Sequence, residues 1–265
     1  MQTRSMSRYF IALLVLLSFG LSLWAQDDDQ SKAKKKSKFD PNPAVLIVPY
    51  YTAQLPFGNM ADRFGFNSLF GAQLSYKTKR NWLIGGEGGF IYGQKVKENY
   101  ILDNITTTTG QMITQYNDLT YVKLEEHGFS IKFNFGKVIP FVVQYPDAGL
   151  LLMTGFGFLQ HKISLNVKAT ELPQLSTIYK RGYDRLTNGP VISQFIGATF
   201  MARRKYFSGY AGLQFDAAFT QGRRPYDFYL GEPLHDKRVD MFLGFKIGYI
   251  IPVFLQASAK EYYYY

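Results

Sequence analysis

From Phe129 to Phe135 apolar and polar residues alternate without a break: Phe129, Ile131, Phe133 and Phe135 are interleaved with Ser130, Lys132 and Asn134. Successive side chains of an extended chain point to opposite faces, so this segment makes a strand with one apolar and one polar face; wound as a helix it would scatter the phenylalanines around the circumference. Phe70, Ala72, Leu74 and Tyr76 alternate in the same way with Gly71, Gln73, Ser75 and Lys77. Further along, Phe207, Ala211, Leu213, Phe215, Ala217 and Phe219 oppose Ser208, Gln214, Asp216 and Thr220, and Val239, Met241, Leu243, Phe245, Ile247 and Tyr249 oppose Asp240, Gly244, Lys246 and Gly248.

Residues 44–54, 82–96, 149–162 and 191–201 fit the period less strictly, bringing the expected total to about eight strands. Several exceed the ~5–6 residues typical of soluble sheets and approach the ~9–11 that cross a bilayer. Short links at 78–81, 137–147 and 202–205 alternate with long polar ones at 97–120, 163–189 and 221–237, the turn-and-loop rhythm of transmembrane barrels. The expected fold is therefore all-β: an antiparallel transmembrane β-barrel of about eight strands over 44–256, with both termini on the short-turn side. Closure removes the sheet edges that hydrocarbon would leave unpaired, and eight strands enclose only enough space for side chains. A soluble barrel with an apolar cavity is the architectural rival, because periodicity defines two faces without labelling them.

Composition agrees with this reading. The 265 residues include 20 Tyr, 23 Phe and 24 Gly, and mean hydropathy is slightly negative, which argues against a bundle of membrane helices. There is no cysteine, so disulfides, thiolate metal sites and cysteine nucleophiles are excluded together. The net charge is +10, and no recognisable module directs that charge to nucleic acid.

Residues 1–25 read as a secretory signal peptide, with Arg4 and Arg8 before an apolar run too short to span a bilayer comfortably. A charged segment at 26–43 (Asp27, Asp28, Asp29, then Lys32, Lys34, Lys35, Lys36 and Lys38) has nothing to bury and reads as a disordered periplasmic leader. An aromatic tail occupies 257–265. These features predict export to the outer membrane of a Gram-negative bacterium.

No constellation identifies a reaction, and no cofactor or metal is implied. His127, His161 and His235 lie far apart in sequence, and isolated loop or rim positions are expected for them. The pairs His127 with Ser130 and His161 with Ser164 invite a hydrolase reading; a three-residue offset on a strand sends the two side chains to opposite faces, which argues against a nucleophile–base contact. Asp62 and Arg63 are expected to order the first external loop as a surface ion pair. Gly85, Gly86, Gly88 and Gly89 read as barrel curvature rather than a phosphate loop, since no helix or Lys-Ser/Thr pair follows. Glu87, Lys132, Asp216, Asp240 and Lys246 fall on the presumed inner face and are expected to pair as a luminal charge network. In the loops Lys180, Arg181, Tyr183, Arg185, Arg223, Arg224 and Tyr226 are the candidate ligand- or partner-binding residues: arginine suits lipopolysaccharide phosphate, although an aromatic girdle and polar rim contain the same residue types.

LPFGNMADRFGFN at Leu55–Asn67 with YKTKRNW at Tyr76–Trp82, GFGFLQHKI at Gly155–Ile163 and YKRGYDRLTNGP at Tyr179–Pro190 resemble a family of Bacteroidetes outer-membrane β-barrels. Tyr262–Tyr265 resemble the terminal aromatic signature of barrels, although Pro252 interrupts the last apolar run. The resemblance implies an outer-membrane barrel and supplies no substrate; some barrels of this phylum serve a secretion and gliding apparatus. The function expected is a non-enzymatic structural or interaction scaffold acting through its external loops, in a cell-surface or secretion assembly. Its partners would be outer-membrane lipid, lipopolysaccharide and a protein at the loops. An enzyme acting on outer-leaflet lipid and a narrow pore are the alternatives.

Overall fold

The structure is a computed structural model describing residues 43–141, 147–167, 172–201 and 208–254. The signal segment 1–25, the charged segment up to residue 42 and the aromatic tail 257–265 lie outside the described residues.

Eight antiparallel staves close into a ring. They are β1 (Ala44–Gly58), β2 (Asn67–Lys77), β3 (Trp82–Gly93), β6 (Lys123–Pro140), β7 (Ala148–Asn166), β8 (Thr187–Phe200), β9 (Gly209–Gly222) and β10 (Lys237–Tyr249). Each pairs with its neighbour in chain order, and β1 closes on β10 from Tyr50↔Gly248 to Gly58↔Asp240. The short β11 (Ile251–Phe254) continues β10 beyond Ile250 and pairs with β1 from Ala44 to Ile47. A small hairpin, β4 (Met112–Ile113) with β5 (Leu119–Thr120), forms a sheet of its own. Among the described residues no helix is long and apolar enough to cross a membrane; the candidates for crossing are strands.

The alternation labels the two faces. On β6, Ile131 and Phe133 are 60% and 57% exposed, whereas the Lys132 between them is 2% exposed. Phe70, Leu74, Phe90, Phe156, Leu213 and Phe245 likewise stand on the exposed outer face, while Gln73, Glu87, Gln214 and Lys246 are buried inside. A barrel with phenylalanine and leucine outside and charge inside inverts a soluble barrel and matches hydrocarbon as its solvent. The glycines at 85, 86, 88 and 89 all sit within β3, paired with β2 and β6. Inward glycines make room for neighbours: a Cβ on Gly89 would come within 2.7 Å of the Tyr50 hydroxyl, and one on Gly248 of β10 within 2.6 Å of the Tyr210 ring.

Loop lengths alternate as the sequence implies, although several strands run further than expected. β6 begins at Lys123 rather than near Phe129, β7 continues to Asn166, and β1 reaches Gly58 before a helical turn, α1 (Asn59–Arg63). The long connections are folded. The second carries a 3-10 turn at Asn99–Leu102 and the β4–β5 hairpin; the third carries a second short helix, α2 (Thr177–Lys180). Two apolar cores flank the polar midsection. One, around Leu46, Val48, Leu83, Leu151 and Phe195, lies at the short-turn end. The other joins barrel residues such as Leu69 and Ile163 to loop residues Met60, Phe64, Ile101, Met112, Leu172 and Leu175.

Candidate functional site: the lumen and the loop crown

Charged side chains from opposite walls meet inside the ring. Glu87 on β3 faces Lys132 directly across the β3–β6 ladder, and the Lys132 ammonium lies 3.0 Å from the Glu87 carboxylate and 3.1 Å from Asp216 on β9. Lys246 on β10 reaches the other Glu87 oxygen at 2.6 Å, with its ammonium 4.2 Å from the centre of the Tyr50 ring. Gln214 donates to Asp216 at 2.7 Å, and the Tyr210 hydroxyl donates to Gln73 at 3.0 Å. Two lysines and two carboxylates balance, and their pairs tie β3 and β6 to β9 and β10 across the lumen. Beneath them a void lined by Gln73, Met153 and Tyr210 holds about 10 Å³, at or below what one water needs. The buried charged cluster and the apolar side chains beneath it occupy the middle of the ring.

Asp240, the fifth candidate of the luminal set, stands apart from that cluster. Its Oδ2 lies 3.0 Å from Nε2 of His161 and also accepts from the Thr220 hydroxyl. His161 is therefore not an isolated rim histidine: it is fully buried on the inner face of β7, with its ring edge against Phe64. Hydroxyl and imidazole both go to the carboxylate, whereas a hydrolytic triad needs the hydroxyl on the imidazole. The His–Ser pairs sit as the strand offset requires. Ser130 and His161 are buried inside, His127 is half-exposed outside, and Ser164 alternates with the inward Ile163 and Leu165.

At the loop end a chain of ion pairs passes through all four connections, the first being the β1–β2 loop and the other three the long ones. Arg63 of α1 holds Glu98 of the second loop at 3.0 Å, the other Glu98 oxygen accepts from Arg185 of the third loop at 2.8 Å, and Arg185 holds Asp227 of the fourth at 2.9 Å. Arg63 also donates to the Thr187 hydroxyl at 3.0 Å and to the Arg185 carbonyl at 3.1 Å. Burial lowers the Arg63 pKa from its ordinary value, and the Glu98 carboxylate works against that shift. Asp227 further accepts from the backbone N–H groups of Tyr229 and Leu230 at 2.9 and 3.0 Å, shaping the fourth loop. The Arg185 backbone is left-handed, at φ 45°, uncommon for a residue with a Cβ, and the three loops that its guanidinium and carbonyl engage hold it there.

These contacts correct two expectations. Arg63 is buried and bonded to Glu98, so the Asp62–Arg63 surface pair does not form. Arg185 and Tyr183 are interior residues of the crown rather than ligand-facing ones, with Tyr183 packed edge-on against Phe228. Of the remaining loop candidates, Arg224 is bonded to Asp184 and Lys180 donates to the Val167 carbonyl at 3.1 Å. Arg223 donates to Asn188 at 2.7 Å and is exposed, as are Arg181 and Tyr226. Sequence reading missed Glu98 and Asp227 because their partners lie 87 and 42 residues away, in segments without periodicity. The available signal was charge inside Tyr-rich loops.

Apolar and aromatic side chains stand exposed on the crown among polar ones such as Asp103, Gln115, Asp118 and Arg181. Ile113, Tyr116, Leu119 and Tyr121 of the hairpin region and Ile178 and Tyr179 of α2 are exposed. Gln174 joins these two parts by donating to the Ile113 carbonyl at 2.9 Å.

No family model and no curated protein matches the sequence. Among solved structures the chain is similar to the attachment invasion locus protein Ail of Yersinia pestis, solved in complex with the heparin analogue sucrose octasulfate: identity 10%, coverage 79% of this chain and 99% of that one, TM-score 0.37. For Neisserial surface protein A (NspA) the identity is 7%, with coverage of 77% and 96% and a TM-score of 0.39. For the N-terminal β-barrel domain of Pseudomonas aeruginosa OprF the identity is 10%, with coverage of 78% and 97% and a TM-score of 0.33.

Proposed function

We propose that this chain is an outer-membrane β-barrel that serves as a non-enzymatic interaction scaffold, displaying its role on the loop crown. The observation that carries the reading is the ion-pair chain Arg63–Glu98–Arg185–Asp227, which fixes four loops into one preformed surface over a filled lumen. Preorganisation of this kind lowers the ordering cost of binding. Crown aromatics such as Tyr116, Tyr121 and Tyr179 are exposed residues of the type enriched at interfaces.

Membrane fractionation of the native host tests the location: a heat-modifiable outer-membrane band is expected, and a soluble periplasmic protein would overturn it. The role is tested by complementing a deletion strain with a chain whose 167–186 and 223–236 segments are replaced by short turns. Loss of complementation with the barrel still heat-modifiable is the expected result. Full complementation would show that the crown does not carry the function.

A further inference from the structure

The outer face changes character at the loop end of β6 to β10. Below the boundary Phe129, Phe158, Pro190, Phe219 and Val239 face outward on β6 to β10, with the Phe129 and Phe158 rings 6.3 Å apart. The next outward positions are polar, and they meet in register: His127↔Lys162, Gln160↔Asn188, Asn188↔Gln221 and Lys237↔Gln221. Arg223 completes the strip, since its backbone N–H bonds the Leu186 carbonyl beside Lys162 and its guanidinium bonds Asn188. Lys162, Arg223 and Lys237 are exposed, and none has an acidic partner among the described residues. Of the nearby carboxylates, Glu125 is engaged by Lys123 at 2.8 Å and by the Tyr92 hydroxyl at 3.0 Å, and Asp236, beside Lys237, lies 3.5 Å from Arg238. On β3 the outward residue in register with His127 is Tyr92, and Tyr92 pairs with Ser68 on β2; neither carries a charge.

Lys162 and Arg223 stand one position beyond the ends of the aligned row His161, Thr187 and Gly222, two strand spacings or about 10 Å apart along the wall, with the Gln160 and Asn188 amides one outward position below. Cations directly above an aromatic belt meet a membrane where its phosphates lie, and long basic side chains reach that plane while their stems stay against apolar surface. Lys162 lies on β7, Lys237 on β10 and Arg223 directly after β9, so three cations share one stretch of the wall; on the other side Lys95 and Lys97 follow β3 in the loop, and Lys97 donates to the Ala61 carbonyl at 2.6 Å.

We propose that this strip seats the phosphorylated head group of an anionic membrane lipid: Lys162, Arg223 and Lys237 take the phosphate oxygens, Asn188 and Gln160 the neighbouring polar groups, and Phe158, Pro190 and Phe219 the acyl chains. This rests on the membrane-barrel reading above. The lipid is identified by its chemistry, an anionic phosphate on an acylated head group, and the adjoining apolar belt favours a lipid over a free phosphate ion.

The test uses the full chain folded in neutral detergent and titrated with a bis-phosphorylated acylated glucosamine disaccharide, the same lipid enzymatically dephosphorylated, and inorganic phosphate as competitor. Tighter binding of the phosphorylated lipid, by about tenfold or more, is expected from neutralising several interfacial cations. The double variant Lys162→Gln/Arg223→Gln should bind both lipids alike, whereas Lys79→Gln/Arg80→Gln at the short-turn end should keep the preference. Equal binding of the two lipids, or a preference that survives Lys162→Gln/Arg223→Gln, overturns the proposal. Displacement of the lipid by millimolar inorganic phosphate overturns the choice of a lipid. Heat modifiability of each variant is read alongside: a chain that keeps it and shows no lipid preference refutes the lipid site alone, and a wild type lacking it refutes the barrel reading.

Discussion

Arg63 and Arg185 share one acid and one backbone bond: Glu98 lies between their guanidinium groups, and Arg63 also donates to the Arg185 carbonyl at 3.1 Å. Two cations 122 residues apart in sequence thus share one carboxylate, and Arg185 has a second in Asp227. Removal of one member of a buried ion pair commonly costs about 3–5 kcal/mol, because the other charge is left uncompensated.

Glu98→Ala is therefore expected to loosen the crown without opening the barrel. Limited trypsin digestion should become markedly faster at Lys97, Arg181 and Arg223, and the protected barrel fragment should stay heat-modifiable. Unchanged loop protection would show that the apolar core around Met60, Ile101 and Leu175 holds the crown unaided.

Glu87 occupies the same position of leverage in the lumen, since Lys132 and Lys246 both bind it. Glu87→Ala leaves Asp216 to neutralise two ammonium groups, and a loss of roughly 3–5 kcal/mol is expected. Urea unfolding in lipid vesicles, followed by tryptophan fluorescence, measures it. A midpoint equal to wild type would mean that water or lipid phosphate reaches the lysines.

The filled midsection predicts electrical silence. Wild-type protein in a planar bilayer should carry no steady current above baseline, while Glu87→Gly/Lys132→Gly/Asp216→Gly should raise the conductance by emptying the centre of the ring. Steady single-channel currents from wild-type protein would restore the pore reading.

Gly248 tests the packing of the short-turn half. A Cβ there would sit 2.6 Å from the Tyr210 ring and 2.9 Å from Val48, and Tyr210 is held by its bond to Gln73. Gly248→Val should destabilise the barrel by about 1–3 kcal/mol through overpacking. The shift in urea midpoint checks this, and a neutral result would mean that Tyr210 can swing away.

The eight-stranded ring was legible wherever one face is uniformly apolar, as on β6 and β10, because a period of two survives any uncertainty about strand ends. Alternation also brought out Glu87, Lys132, Asp216, Asp240 and Lys246, which share the inner face while four of them cluster and Asp240 goes to His161. The sequence could not show which strands face one another across the lumen, so the His161–Asp240 contact, 79 residues apart, was hidden. The crown was illegible for a related reason. Arg63, Glu98, Arg185 and Asp227 lie in connections whose local pattern is polar, and only the folded loops make those residues interior.

The central claim is that the apolar face of each strand meets hydrocarbon and the polar face the lumen. Because the chain contains no cysteine, single-cysteine variants at consecutive positions from 129 to 135 can each carry one fluorophore in lipid vesicles containing brominated acyl chains. Strong quenching is predicted at Phe129, Ile131, Phe133 and Phe135 and weak quenching at Ser130, Lys132 and Asn134. Quenching that fails to alternate, or is strongest at Lys132, would contradict the account.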